Sequence, residues 1–187
     1  MTLSAQESLR EAQRLLDADQ YERAAEVLDP LVKQHNPEAL FLRAQFTPPG
    51  AEDTTTFEKR HVRQLMEAEA LGHAGAAYQL SIYTEEGDCG LVQDRAAAVQ
   101  LIQRAADRGH PNAIWRVGVM LLYGTDGYHL DLVQGIALIK RAATLKSEGA
   151  LRMLAKFYTV GAFGLAQSPE EAARLTQAAE ADDVIPI

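Results

Sequence analysis

A chain of 187 residues, 47% of them apolar, is long enough to bury a core and too apolar to be read as disordered. Its net charge of −8 and isoelectric point near 5.1 repel a phosphate backbone at long range, which argues against nucleic acid as the partner. The single Cys89 forbids an intrachain disulfide, and no window approaches the roughly 18 consecutive apolar residues of a membrane span.

Aromatic residues make up only 6% of the chain, and alanine dominates the apolar share. Alanine loses no side-chain entropy on entering a helix, so this composition points to closely packed helices. The start, Met1-Thr2-Leu3-Ser4-Ala5-Gln6-Glu7, has neither a basic stretch nor an apolar one, so no signal peptide is visible and a cytoplasmic location is expected. Charge is uneven along the chain. Residues 111–147 carry Arg116, Lys140, Arg141 and Lys146 against Asp126 and Asp131, a positive stretch in an acidic protein.

In chain order, residues 4–36 form the first predicted hairpin. Ala12, Leu15 and Leu16 precede a turn at Asp19-Gln20, and Tyr21, Ala24, Ala25 and Leu28 follow at helical spacing. This stretch resembles a tetratricopeptide hairpin. Pro30 is expected to kink its second helix or end it early.

A repeat of 37 residues begins next, with predicted units 37–73, 74–110, 111–147 and 148–184. Ala39, Ala76, Ala113 and Ala150 form one column, and Gly50, Gly87, Gly124 and Gly161 a second. Ala44, Ser81, Gly118 and Ala155 form a third, small in every unit, and Ala68, Ala105, Ala142 and Ala179 a fourth. Small side chains in phase suit helices crossing at the near end of the 8–10 Å range.

The unit at 37–73 departs from the others. It has Arg43 where Leu80, Val117 and Leu154 stand later, then a Pro48-Pro49-Gly50 break and a Thr-rich loop. In the unit at 74–110, a first helix runs from about Ala74 to Glu85. Gly87 tolerates the positive φ of a helix end, and Asp94 is the N-cap of the second helix. Asp131 and Ser168 occupy that cap column later, and Ser168-Pro169-Glu170-Glu171 is a clear helix start. The apolar tail Val184-Ile185-Pro186-Ile187 has two readings: it folds over the exposed end of the stack, or that uncapped end forms a homodimer contact.

On these residues the chain resembles the SEL-one-like repeat proteins, a branch of the tetratricopeptide-like solenoids. The resemblance rests on Ala76, Tyr78, Leu80, Ser81, Gly87, Asp94 and the run from Ala105 to His110. It continues through Ala113, Trp115, Gly118, Gly124, Gly127 and Asp131, then through Ala150, Ala155, Tyr158, Gly161, Gly164 and Ala179. It implies an all-α fold, a right-handed α/α superhelical solenoid of stacked antiparallel hairpins over 1–187. It also implies adaptors and regulators rather than enzymes. Some secreted relatives carry paired cysteines within repeats, a feature this chain lacks.

The expected function is therefore a scaffold that binds a partner protein segment on a concave surface lined by first helices. The alternative is a structural or regulatory subunit that uses the stack ends or the convex face. An enzyme is a distant third. Counting the column alanine as zero, positions 0, 4, 5 and 8 share one helix face, and positions 2 and 6 lie opposite. Position 2 reads Phe41, Tyr78, Trp115, Arg152, and position 6 reads Gln45, Ile82, Val119, Lys156. The candidate partner-binding residues are Tyr78, Ile82, Trp115, Val119, Arg152 and Lys156, suited to an acidic or apolar-acidic peptide. The competing reading makes Tyr78 and Trp115 a packing seam between neighbouring first helices.

No catalytic, cofactor or metal residue is expected. Cys89 is expected to be an exposed, incidental thiol in the loop between Gly87 and Gly90, with no protease-type motif around it. His73 and His110 stand one repeat apart, roughly 10 Å by helix spacing, too far to share one ion. No phosphate-binding glycine motif is present.

Overall fold

In the computed structural model, residues 4–181 are described, and among them every regular element is an α-helix. They are α1 (Ala5–Asp17), α2 (Tyr21–Lys33), α3 (Pro37–Ala44), α4 (Thr54–Ala70), α5 (Ala74–Glu86), α6 (Arg95–Asp107), α7 (Pro111–Tyr123), α8 (Leu132–Thr144), α9 (Glu148–Val160) and α10 (Pro169–Ala181). No described helix is long and apolar enough to cross a membrane. Contacts divide the chain into two compact units, Met1–Leu101 and Ile102–Ile187, with the border inside α6. The tail Val184–Ile187 lies outside the described residues, and so does its choice between end cap and dimer contact.

In the first unit, α1 opens on a capping box: the Ser4 hydroxyl accepts from the Glu7 amide while the Glu7 carboxylate accepts from the Ser4 amide. Ala12 and Leu15 pack against Ala24, Leu28 and Leu31 of α2. Contrary to expectation, α2 continues past Pro30 to Lys33. Pro30 is exposed and sits in the last turn, so the one backbone bond it removes is lost near water. A second cluster joins Leu40 and Ala44 of α3, Val62 and Leu65 of α4, and Ala76 and Leu80 of α5.

The threonines expected in a loop instead form the first turn of α4, because the Asp53 side chain caps it by accepting from the Thr56 amide at 2.8 Å. The connection from α3 is held by two arginines. Arg60 donates to the Arg43 and Phe46 carbonyls, both at 2.9 Å, and to the Glu52 carboxylate at 2.6 Å. Arg43 donates to the Phe46 carbonyl at 3.1 Å and to Asp29 of α2 at 3.2 Å. That accounts for a cation where later units have an aliphatic residue.

In the second unit, α7 and α8 form a close hairpin, α9 and α10 another. The small columns are its core: Ala113, Ala142 and Ala150 are fully buried and Ala179 nearly so. Gly118 and Gly135 mark where α7 crosses α8. A Cβ on Gly135 would lie 2.9 Å from the Gly118 carbonyl oxygen, so neither position has room for a larger residue. Both first helices end on a glycine in the left-handed region, Gly124 at φ 63° and Gly161 at φ 70°. Asp131 caps α8 by accepting from the Gln134 amide at 2.9 Å, and the Ser168 hydroxyl accepts from Glu171 at 3.3 Å ahead of α10.

Candidate functional site

The residues predicted to face a partner fall into two environments. In the first unit, Tyr78 and Ile82 lie on α5 and are half-buried. The neighbouring Phe41 of α3 lies against the start of α5, where a Cβ on Gly75 would come within 3.2 Å of its ring. Its ring also stacks on His73 at 4.3 Å. In the second unit, Trp115 and Val119 of α7 are half-buried, while Arg152 and Lys156 of α9 are exposed. A Cβ on Gly149 would lie 2.8 Å from three ring carbons of Trp115, so this indole packs directly on the backbone where α9 begins. Phe41 and Trp115 thus repeat one device, an aromatic of one first helix seated on a glycine of the next. Arg152 donates to Glu148 at 2.5 Å, so part of its charge is answered within α9.

The histidines have a local role. In the column Asn36, His73, His110 and Ser147, each side chain accepts from the amide three residues on and so caps a first helix. For His73 the acceptor is Nδ1, 3.0 Å from the Ala76 amide, which leaves Nε2 to donate to Glu38 at 3.1 Å. That hydrogen bond holds the Glu38 carboxyl below the usual range. An acceptor in every unit was the available signal, hidden because three residue types share the job. Among the described residues no three His, Cys, Asp or Glu side chains gather as metal ligands would. Cys89 is half-buried rather than exposed. It packs against the cluster around Leu40 and Leu80, and burial pushes its thiol up, away from the reactive thiolate.

Sequence reasoning missed two grooves on the other side of the first helices. One, of about 510 Å³, lies between α8 and α10, with α9 as its floor through Leu151, Leu154 and Tyr158. Lys140 and Lys146 stand on one rim, Arg174 and Glu171 on the other. The second, of about 440 Å³, lies between the end of α6 and α8, over Ile114, Val117 and Leu121 of α7. Each floor residue of one groove is 37 positions from its counterpart in the other, so the same cavity is built twice. The floors use positions 1, 4 and 8 of the first helices, away from positions 2 and 6. The local positive charge of 111–147 was the sequence signal, because two of its lysines are rim residues.

The Sel1 repeat family model matches residues 74–110, 111–147 and 149–183. No curated protein matches the chain. Among solved structures, a Sel1 repeat protein from Oxalobacter formigenes superposes with a TM-score of 0.69 at 21% identity, over 86% of this chain and 64% of that one. A protective antigen of uropathogenic Escherichia coli strains displaying an SLR fold gives 0.63 at 22% identity, over 84% of this chain and 33% of that one. This chain therefore spans less than two thirds of the length of either protein, and at this identity the likeness shows the fold, an all-α helical-repeat solenoid. With matches over more than half of its length, the chain belongs to the Sel1 repeat family, whose repeats generally mediate protein–protein interaction.

Proposed function

We propose that this protein is an interaction scaffold that holds a segment of a partner protein on its helical surface, as an adaptor or regulator. The observation that carries this reading is the doubled groove of the second unit: one apolar floor recurs at the repeat period under two different rims. A repeated floor with varied edges suits recognition of successive parts of a chain, since the scaffold supplies contact area and the rims supply selectivity. Arg152 and Lys156 add an exposed basic patch on the first-helix side, where a partner that is acidic would gain from two cations.

The test is charge reversal in the intact protein. Affinity capture followed by mass spectrometry is run with the native chain and with Arg152→Glu/Lys156→Glu. Loss of specific partners at an unchanged melting temperature is the expected result. Recovery of the same partners by the doubly reversed chain overturns the role of the basic patch. Turnover of a small substrate by the pure protein, with no partner retained by either form, overturns the scaffold reading itself.

A further inference from the structure

We infer that the chain self-associates through the start of α8, where Leu130, Leu132 and Val133 form an apolar patch that fits a second copy. The inference goes beyond the scaffold reading and does not depend on it. Leu130 is 63% exposed, Leu132 43% and Val133 83%. They stand just before the Asp131 N-cap and at the first two helical positions after it. The same three positions read Gln93, Arg95 and Ala96 one repeat earlier and Gln167, Pro169 and Glu170 one repeat later.

Folding accounts for the flanking residues and not for these. Gln93 donates to the Glu85 carbonyl and Gln167 to the Thr159 carbonyl, both at 3.0 Å, so each glutamine ties its loop to the preceding helix. Leu130 gives up that tie. An apolar residue ahead of an N-cap ordinarily packs on the fourth residue of the helix. Here that residue is Gly135, whose missing side chain the crossing with α7 requires, so Leu130 finds nothing there to staple against. At Val133 the later repeat has Glu170, an acid suited to the positive end of a helix dipole. Exposed aliphatics gathered in one place, against these local preferences, mark a contact surface.

Charge points to the occupant. Residues Met1–Leu101 include nine Lys and Arg against seventeen Asp and Glu, whereas Ile102–Ile187 include nine of each. The whole net charge of −8 thus belongs to the first unit. The patch lies on the neutral unit, the one whose copies meet without net repulsion. Beside the aliphatics stand two exposed polar side chains of opposite kind, the His129 imidazole, which can donate, and the Asp131 carboxylate, which accepts. A two-fold apposition sets each imidazole against the other copy's carboxylate and covers aliphatic with aliphatic, so one surface serves both copies.

Sedimentation equilibrium of the full chain is run in reductant, which keeps Cys89 from cross-linking copies. At about 100 µM the apparent mass should approach twice 20.5 kDa and fall toward 20.5 kDa on dilution, because so small a patch gives an interface of the weak class. Leu130→Gln/Val133→Glu, which copies the following repeat, should weaken association about tenfold with the melting temperature unchanged or raised. Val133→Glu alone should weaken it about threefold, and decides the matter if the double variant melts early. Val92→Glu, at an exposed aliphatic of the first unit, should leave association unaltered. A native chain that stays monomeric at every concentration overturns the inference. So does association that survives both substitutions at the patch, or that Val92→Glu weakens equally.

Discussion

Where α7 crosses α8, Gly118 and Gly135 bring two backbones almost into contact. At the same repeat positions of α3 and α4 stand Ala44 and His61. His61 is only 4% exposed, and its ring bridges the Ala44 carbonyl at 2.7 Å and the Tyr83 hydroxyl at 3.0 Å. One hairpin closes by removing side chains and the other by inserting a polar ring whose two nitrogens both find partners. A buried polar group is tolerated in a small-residue column when its hydrogen bonds are complete. The hairpin that carries it is also the one that needs the Arg43 and Arg60 anchors and the longer connection.

The comparison is broken most severely by filling the tight crossing. Gly135→Leu should cost about 3 kcal/mol in urea unfolding, because the obstacles to its side chain, the Gly118 oxygen and the Leu122 amide nitrogen at 2.9 Å, are backbone atoms of α7. An unchanged midpoint would mean that the two helices separate freely. Next comes His61→Ala, expected to cost about 2 kcal/mol by leaving the Ala44 carbonyl unsatisfied beside a new cavity. If that variant is as stable as the parent, the ring is a filler and not a bridge.

Gly149→Ala tests the aromatic seam, with a loss of about 1 kcal/mol. Trp115 is the sole tryptophan, so its emission maximum should shift as the ring is displaced; constant emission would place it elsewhere. The smallest effect is the acid limb of the α3–α4 anchor. The hydrogen bond from Arg60 holds the Glu52 carboxyl below its ordinary 4.5. A depressed carboxyl contributes stability above the unfolded value and loses it as pH falls through the folded one. Melting temperature should therefore drop more steeply below about pH 4.5 in the native protein than in Glu52→Gln; parallel curves would remove Glu52 from the anchor.

Much of the architecture was legible because local chemistry decides it. The caps at Asp131 and Ser168 and the left-handed glycines at 124 and 161 depend on residues within one turn of each other, so their sequence positions carry the information. The same holds for the small columns, whose phase is the helix period. What escaped was set by neighbours distant in sequence. The sequence leaves Trp115 open between a partner surface and a packing seam until Gly149 is placed beneath it, and Arg43 looks anomalous until the Phe46 carbonyl and Asp29 are seen around it.

By itself, the sequence determined an all-α repeat of small residues in register, because helix propensity, capping and a 37-residue period act through bonds and near neighbours. Tertiary structure alone decided which face of α7 and of α9 packs and which opens into a groove. Leu151, Leu154 and Tyr158 became a groove floor because α8 and α10 stand apart over α9, a separation that no one segment encodes.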